Sequence, residues 1–251
     1  MRKCLFCDAI PKTLEHIWPT WILQRIGPQS AIRGSSGPRS VLLRGPKPQL
    51  KARCVCKACN EGWMSDLEST NKPLIAAMMR DLSIPLKSSQ QSTLACWGVK
   101  TSMVMECTLG HRQQFYTKSE REVLRTRRTI PANTFVWLGR SLGLDSVAHW
   151  GSDVWEEQPL GPDILHSYVN TIGVCSFLIQ VMTVHVPAVY RRRPINIKPR
   201  PTFQRWSTVL TRIWPSNKAV EWPPALAIRA ANGPSFEDVH TRWGPEADEL
   251  R

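Results

Sequence analysis

Two cysteine-bearing stretches decide the fold of this chain: Cys4-Leu5-Phe6-Cys7 and Cys54-Val55-Cys56-Lys57-Ala58-Cys59-Asn60. Two cysteines separated by two residues can reach one metal ion from a tight turn, and two such pairs complete a tetrahedral four-sulfur zinc site. We therefore predict a structural zinc ion with four cysteine ligands: Cys4, Cys7, Cys56 and Cys59. Such an ion would close a loop of about fifty residues and contribute folding free energy.

The other cysteines have less favourable positions for this metal. Cys54 is an alternative ligand, although a Cys54-x-Cys56 pair is a less usual spacing and Cys54 is expected to face away on the preceding strand. Cysteines in apolar contexts are expected to be buried thiols: Cys96, Cys107 and Cys175. Because a closed four-cysteine site leaves no coordination position for a substrate, the zinc would be structural and not catalytic.

Three polar residues beside these stretches suit phosphodiester hydrolysis: Glu15, His16 and Asn60. His16 can accept the proton of an attacking water, because imidazole titrates near neutral pH. Glu15 and Asn60 offer hard oxygen ligands, and two protein ligands completed by water and phosphate oxygens are typical of Mg²⁺. The alternatives are an ordinary surface pair for Glu15-His16 and a helix N-cap for Asn60. Glu68, two turns further on, could reach back toward the site but is expected to be solvated.

The order of these motifs resembles that of the zinc-stabilised HNH endonucleases. The pattern is Cys-x-x-Cys, then Glu-His-Ile-x-Pro, then Cys-x-x-Cys-Asn, and the local sequences at residues 14–21 and 59–68 resemble a bacterial and phage subgroup. The resemblance covers residues 4–70. It implies a ββα-metal fold, DNA as the substrate, His16 as general base, and Glu15 and Asn60 as ligands of a catalytic Mg²⁺ or Mn²⁺.

Two positions depart from the usual HNH pattern. HNH proteins carry a middle Asn that orients the base, whereas this chain has no Asn between Ile17 and Arg53. A backbone carbonyl or one of three glutamines could take its place: Gln24, Gln29 or Gln49. Asn60 stands where the family more often has His, which is an accepted change for a metal ligand.

The charge of the chain bears on its partners. Of the 251 residues, 33 are Lys or Arg and 20 are Asp or Glu, so the formal net charge is +13 at pH 7. A positive excess suits a polyanion, because neutralising phosphates releases condensed counterions; the alternative is a basic, solvated surface. The sequence has no apolar run long enough for a membrane span and no apolar segment after its charged start. We therefore expect a cytoplasmic protein of a bacterium or a phage-infected cell, without a membrane partner.

The hydrophobic pattern predicts an α+β protein in two parts. Residues 1–72 are predicted to form a zinc-containing HNH-like nuclease module, and residues 73–251 a domain of mixed helices and antiparallel strands with unknown role. Within the chain, Pro73 is expected to separate two helices, and residues 27–50 to form a basic loop with one strand. Further helices are predicted at residues 93–107 and 118–128. Strands are predicted at residues 134–138 and 168–189.

These observations predict a metal-dependent endonuclease that hydrolyses phosphodiester bonds in DNA. The alternative is a non-catalytic, zinc-containing nucleic-acid-binding protein, which the missing middle Asn favours. A structural or virion-associated protein is a third possibility. Sequence specificity, DNA or RNA preference, single- or double-strand cutting and oligomeric state are left open by the sequence.

Overall fold

The structure, a computed structural model, describes most of the chain. The described residues are 3–26, 31–36, 39–44, 50–108, 114–142, 147–157, 165–186, 197–199, 209–216, 218–229, 236–241 and 243–245. The helices within these ranges are α1 (Thr20–Arg25), α2 (Lys57–Cys59), α3 (Ser65–Met79), α4 (Ser88–Met105), α5 (Lys118–Arg127) and α6 (Phe236–Thr241). Two helical turns, Asn60–Met64 and Glu106–Thr108, join α2 to α3 and extend α4.

The strands within the described ranges are numbered in chain order. The first seven are β1 (Thr13–His16), β2 (Ala31–Ser36), β3 (Arg39–Arg44), β4 (Lys51–Val55), β5 (Ile84–Leu86), β6 (Thr134–Leu142) and β7 (Val147–Glu157). The remaining seven are β8 (Leu165–Val174), β9 (Phe177–His185), β10 (Ile197–Pro199), β11 (Leu210–Trp214), β12 (Val220–Trp222), β13 (Ala227–Arg229) and β14 (Trp243–Pro245). Together with the helices they make a mixed α+β fold, as predicted.

An eight-stranded mixed sheet is the largest sheet in the described residues. Its strand order is β11-β6-β9-β8-β7-β2-β3, and β13 also pairs with β6. The pairs β2–β7 and β13–β6 are parallel, and the other pairs are antiparallel. The sequence of β9 is rich in Val, Ile and other apolar residues, and all of it except His185 is buried. A continuous apolar run of this kind is typical of a strand covered on both faces.

Helix α4 packs against this sheet and also contacts α3 and β4. Every residue from Leu94 to Met105 is buried, because the helix has neighbours on all sides. Gly98 permits the close approach: a Cβ added there would lie 2.7 Å from Ile179 Cδ1 on β9. This placement carries Lys100, which is 2% exposed, into the protein interior.

The N-terminal part is built on an antiparallel pair followed by helices. Strand β1 pairs with β4, with Glu15 opposite Ala52 and His16 opposite Lys51. The chain then continues through α2 and the 60–64 turn, which kinks at Gly62, into α3. This order of two strands and a helix positions the candidate site.

Several predicted elements need correction. The prediction that Pro73 separates two helices is wrong, since α3 runs through Pro73 to Met79. The region 27–50, predicted as a loop with one strand, contains two strands, β2 and β3, and β2 pairs with both β3 and β7. Residues 27–30, 37–38 and 45–49 of that region lie outside the described residues. The helix predicted at 118–128 and the strands predicted at 134–138 and 168–189 are confirmed as α5, β6, β8 and β9, except that residues 187–189 lie outside the described residues.

The predicted division of the chain after residue 72 stays a prediction. The boundary falls inside α3, and β2 and β3 belong to the same sheet as strands beyond residue 130. In the part of the chain that the structure describes, no helix is long and apolar enough to cross a membrane.

Candidate functional site

Four thiols meet at the start of the helical segment that follows β4. The Sγ atoms of Cys4, Cys7, Cys56 and Cys59 all lie within 4.8 Å of one another. The Sγ distances are 3.6 Å for Cys7–Cys56 and 3.8 Å for Cys7–Cys59. Zinc–sulfur bonds of about 2.3 Å at tetrahedral angles require sulfur–sulfur separations of about 3.8 Å. These residues, called the four-cysteine cluster below, can therefore hold a metal ion such as zinc.

Backbone donors support the sulfurs of the four-cysteine cluster. The Cys56 N–H donates to Cys4 Sγ over 3.2 Å, and the Cys59 N–H donates to Cys56 Sγ over 3.5 Å. Burial raises the pKa of the Cys59 thiol. In Cys56 burial acts in the same direction, but hydrogen bonds from the Cys59 backbone and from neighbouring thiols lower the pKa overall. Such donors orient metal ligands and offset the negative charge of thiolates.

Cys54, the alternative ligand, is outside the cluster. It is buried on β4, and its pKa is raised first by the hydrogen bond that its thiol donates to Cys107 and then by burial. Alternate residues of a strand point to the same side, so the separation arises because β4 ends at Val55 and Cys56 is already the N-cap of α2. Cys54 thus lies on the preceding strand, as expected, and is not one of the four clustered cysteines.

A cleft of about 490 Å³ adjoins the cluster and contains all three predicted catalytic residues. Its walls come from the end of β1, from α1, and from residues 60–69. The lining residues are Glu15, His16, Pro19, Thr20, Trp21, Gln24, Asn60, Glu61, Met64, Ser65, Glu68 and Ser69. The cleft thus brings together Glu15 and His16 with Asn60, which lies 44 positions further along the chain.

Asn60 is not the N-cap of a helix. Cys56 occupies the N-cap position of α2 and accepts the Cys59 N–H, while the Asn60 N–H donates to Cys56 O over 3.0 Å within the helical segment. Among the described residues, the Asn60 side chain has no hydrogen-bond partner. Its amide oxygen is therefore available to a ligand in the cleft.

Glu15 is held from the protein interior by a buried ammonium group. Glu15 Oε1 lies 3.6 Å from Lys100 Nζ, and the two side chains are 9% and 2% exposed. Burial raises the pKa of Glu15; the Lys100 charge opposes the rise, and the charge of Glu68 adds to it. Lys100 Nζ also lies 6.0 Å from the centroid of the Trp97 ring. Glu15 therefore has two charged neighbours: the buried Lys100 and Glu68, which also lines the cleft.

Glu68 lines the cleft and is half-buried, so the expectation that it is solvated needs correction. Its Oε1 accepts a hydrogen bond of 2.9 Å from Trp21 Nε1, which ties α3 to α1. Two cationic side chains lie against the Trp21 ring: Arg25 Cζ is 5.9 Å and Lys72 Nζ is 5.6 Å from the ring centroid. Trp21 is thus a wall of the cleft with basic groups beside it.

Sequence reasoning missed Lys100 and gave Glu68 no role. A signal for Lys100 was present, because a lone lysine in a helix that is apolar on every side has no solvent face to occupy. The spacing of residues 60, 64 and 68 indicated that Glu68 lies on the same helix face as Asn60, since residues four apart share one face of a helix. Of the three glutamines that could replace the middle Asn, Gln24 lines the cleft, whereas Gln29 and Gln49 lie outside the described residues.

The polar side chains that line the cleft offer oxygen and nitrogen donors. Carboxylate and amide oxygens are the ligands that Mg²⁺ and Mn²⁺ take, and one imidazole stands beside them.

Comparisons of the chain with protein-family models, with curated proteins and with solved structures found no match.

Proposed function

We propose that this protein is a metal-dependent endonuclease of the HNH type that hydrolyses phosphodiester bonds in DNA. One observation carries the proposal: Glu15, His16 and Asn60 line a single open cleft next to the four-cysteine cluster. The sequence resemblance implies a role for the same three residues. The antiparallel pair β1–β4 followed by helices agrees with a ββα arrangement.

The proposed roles follow from the chemistry of each side chain. His16 accepts the proton of the attacking water. Glu15 and Asn60 supply a charged and a neutral oxygen to a divalent cation at the cleft surface. The bound cation would neutralise charge on the phosphate and stabilise the leaving oxygen. Gln24 is the lining residue whose amide could orient His16 in place of the missing middle Asn.

The charge of the cleft supports a cation-dependent reaction. Three carboxylates line it, those of Glu15, Glu61 and Glu68, although the whole chain carries a net charge of +13. Glu15 and Glu61 each have a lysine partner, Lys100 at 3.6 Å and Lys57 at 3.7 Å, and any carboxylate charge that is not neutralised would repel a phosphate group unless a cation intervenes. The carboxylates are therefore better suited to a metal ion than to direct contact with DNA.

A plasmid cleavage assay tests the proposal. Zinc-loaded protein should convert supercoiled DNA to nicked or linear product when Mg²⁺ or Mn²⁺ is added, and His16→Ala should not. Circular dichroism and zinc content, measured on both proteins, establish that each is folded. A folded, zinc-loaded wild-type protein without metal-dependent cleavage of DNA or RNA would overturn the enzyme proposal.

The second candidate function is a non-catalytic, zinc-containing nucleic-acid-binding protein. The ion pair between Glu15 and Lys100 favours it, because an ammonium group already neutralises the proposed metal ligand. The missing middle Asn points the same way. Salt-sensitive DNA binding by a protein that never cleaves, with any divalent cation, would support this second function.

A further inference from the structure

The outer face of the β1–β4 pair carries cations that the proposed reaction does not use. Along β4, Lys51 and Arg53 are exposed and alternate with the buried residues Ala52 and Cys54. Alternate residues of a strand point to the same side, so Lys51 and Arg53 share the outer face. We call these two residues the basic face.

His16 lies beside the basic face. It is the register partner of Lys51 across the antiparallel pair. Directly opposed residues project to the same side of a sheet, with Cβ atoms about 4.5–5.5 Å apart. His16 and Lys51 are therefore close enough to contact a single phosphate group and its neighbour.

The acidic and basic groups of this strand pair are separated between its two sides. Within β1 and β4 the one carboxylate is that of Glu15, which is opposite Ala52 and pairs with the buried Lys100. The outer side carries Lys51 and Arg53 and has no carboxylate from either strand. A polyanion would thus meet only positive charge along β4 until it reaches His16 at the mouth of the cleft.

The spacing of the basic face matches a polynucleotide backbone. Two residues along a strand place Lys51 and Arg53 about 6.7 Å apart, which is close to the separation of successive phosphates in an extended strand. Lys and Arg are the usual phosphate contacts in complexes with nucleic acid.

We propose that the DNA backbone runs along the basic face, with Lys51 contacting the phosphate next to the one at His16 and Arg53 contacting the following one. The choice of DNA as the partner rests on the proposed function. The assignment gives β4 a binding role in addition to its role in placing the four-cysteine cluster.

The salt dependence of DNA binding tests this assignment separately from cleavage. The His16→Ala protein, in Mg²⁺, would be titrated against a fluorescent duplex at several salt concentrations. Each lost phosphate contact lowers the slope of log Kd against log salt by about 0.9. Adding Lys51→Gln and Arg53→Gln should therefore reduce the slope by about 1.8 and weaken binding to all sequences alike.

Two matched variants control for net charge and for folding. Lys87→Gln with Arg212→Gln removes the same charge from exposed positions on α4's N-cap and on β11, and should leave the slope unchanged. Exchanging the two cations, as Lys51→Arg with Arg53→Lys, should keep the wild-type slope. Equal slopes in the Gln variant and the charge control, or no DNA binding at all, would overturn the assignment. Binding with the predicted slopes but no cleavage by the wild type would overturn the nuclease proposal alone.

Discussion

At the scale of single residues, the Glu15 carboxylate has two competing partners. Lys100 approaches it from the interior at 3.6 Å, and in the proposed reaction a divalent cation approaches from the cleft. Lys100 therefore keeps the carboxylate oriented and partly neutralised before a cation binds. The sequence alone groups Glu15 with His16 and Asn60 but not with Lys100, because the contact with Lys100 depends on how α4 packs in the fold.

Removing the Lys100 charge should destabilise the protein strongly. Lys100→Ala leaves the Glu15 carboxylate buried without its partner, which typically costs about 3–5 kcal/mol. Lys100→Arg keeps the charge and should lose much less. Urea denaturation gives the free energies, with the exposed Lys87→Ala as control, expected within about 0.5 kcal/mol of the wild type. A loss in Lys100→Ala no larger than that of the control would contradict this account of Glu15.

Glu106 should make stability decrease as the pH rises. Its Oε1 accepts backbone N–H groups of Phe115 and Tyr116 at 3.0 and 3.3 Å, and burial raises its pKa from 4.5 to about 8. Between these two values the folded chain binds a proton that the unfolded chain has released, so the free energy of unfolding falls with increasing pH.

Glu106→Gln tests this pH dependence, because the amide keeps the acceptor oxygen but cannot ionise. The stability of the variant relative to the wild type should increase from pH 5 to about pH 8, because over this range the folded wild type keeps a proton that its unfolded chain has released. Thermal melts across this range measure the difference. A constant difference, or one that shrinks with pH, would show that the pKa of Glu106 is not raised in the folded protein.

At the scale of elements, the four-cysteine cluster fixes the start of α2 against the N-terminal turn. Leu5 N–H donates to Cys54 O over 2.7 Å, and Cys56 caps α2, so the metal ligands and the backbone hold the same junction. The cluster could be predicted from sequence because each CxxC pair is local. Strand β2 could not, because it pairs with β7, more than a hundred positions away, and contains Gly34 and two serines.

Replacing one ligand of the cluster should remove the metal and loosen this junction. Cys59→Ser is expected to lose the zinc ion and the exchange protection of amides in β1, β4 and α2, since metal binding contributes folding free energy. Wild-type protein should contain about one zinc per chain.

Cys54→Ser is the matched control, because Cys54 is buried nearby but lies outside the cluster. Metal analysis by mass spectrometry and hydrogen exchange compare the two variants. Zinc retained in Cys59→Ser, or lost from Cys54→Ser with the fold intact, would contradict the ligand assignment.

At the scale of the whole molecule, the large sheet and α4 form the support on which the cleft is built. Helix α4 contacts the sheet closely at Gly98, and this places Lys100, two residues after Gly98, beside Glu15. Local sequence patterns predicted the α+β class, helix α5 and the long strands of the sheet. They missed the continuity of α3 through Pro73, because packing of its buried face against α4 outweighs the lost hydrogen bond.

The cleavage rate as a function of cation concentration is the most direct test of the central claim, that Glu15, His16 and Asn60 form a metal-dependent nuclease site. In single-turnover assays with Mn²⁺, His16→Ala should lower the maximal rate by about 10²–10⁴-fold without changing the cation concentration at half-maximum. Asn60→Ala should instead raise that concentration, because it removes an oxygen ligand. No cation-dependent cleavage by folded, zinc-loaded wild-type protein, or unchanged cleavage in both variants, would contradict the claim.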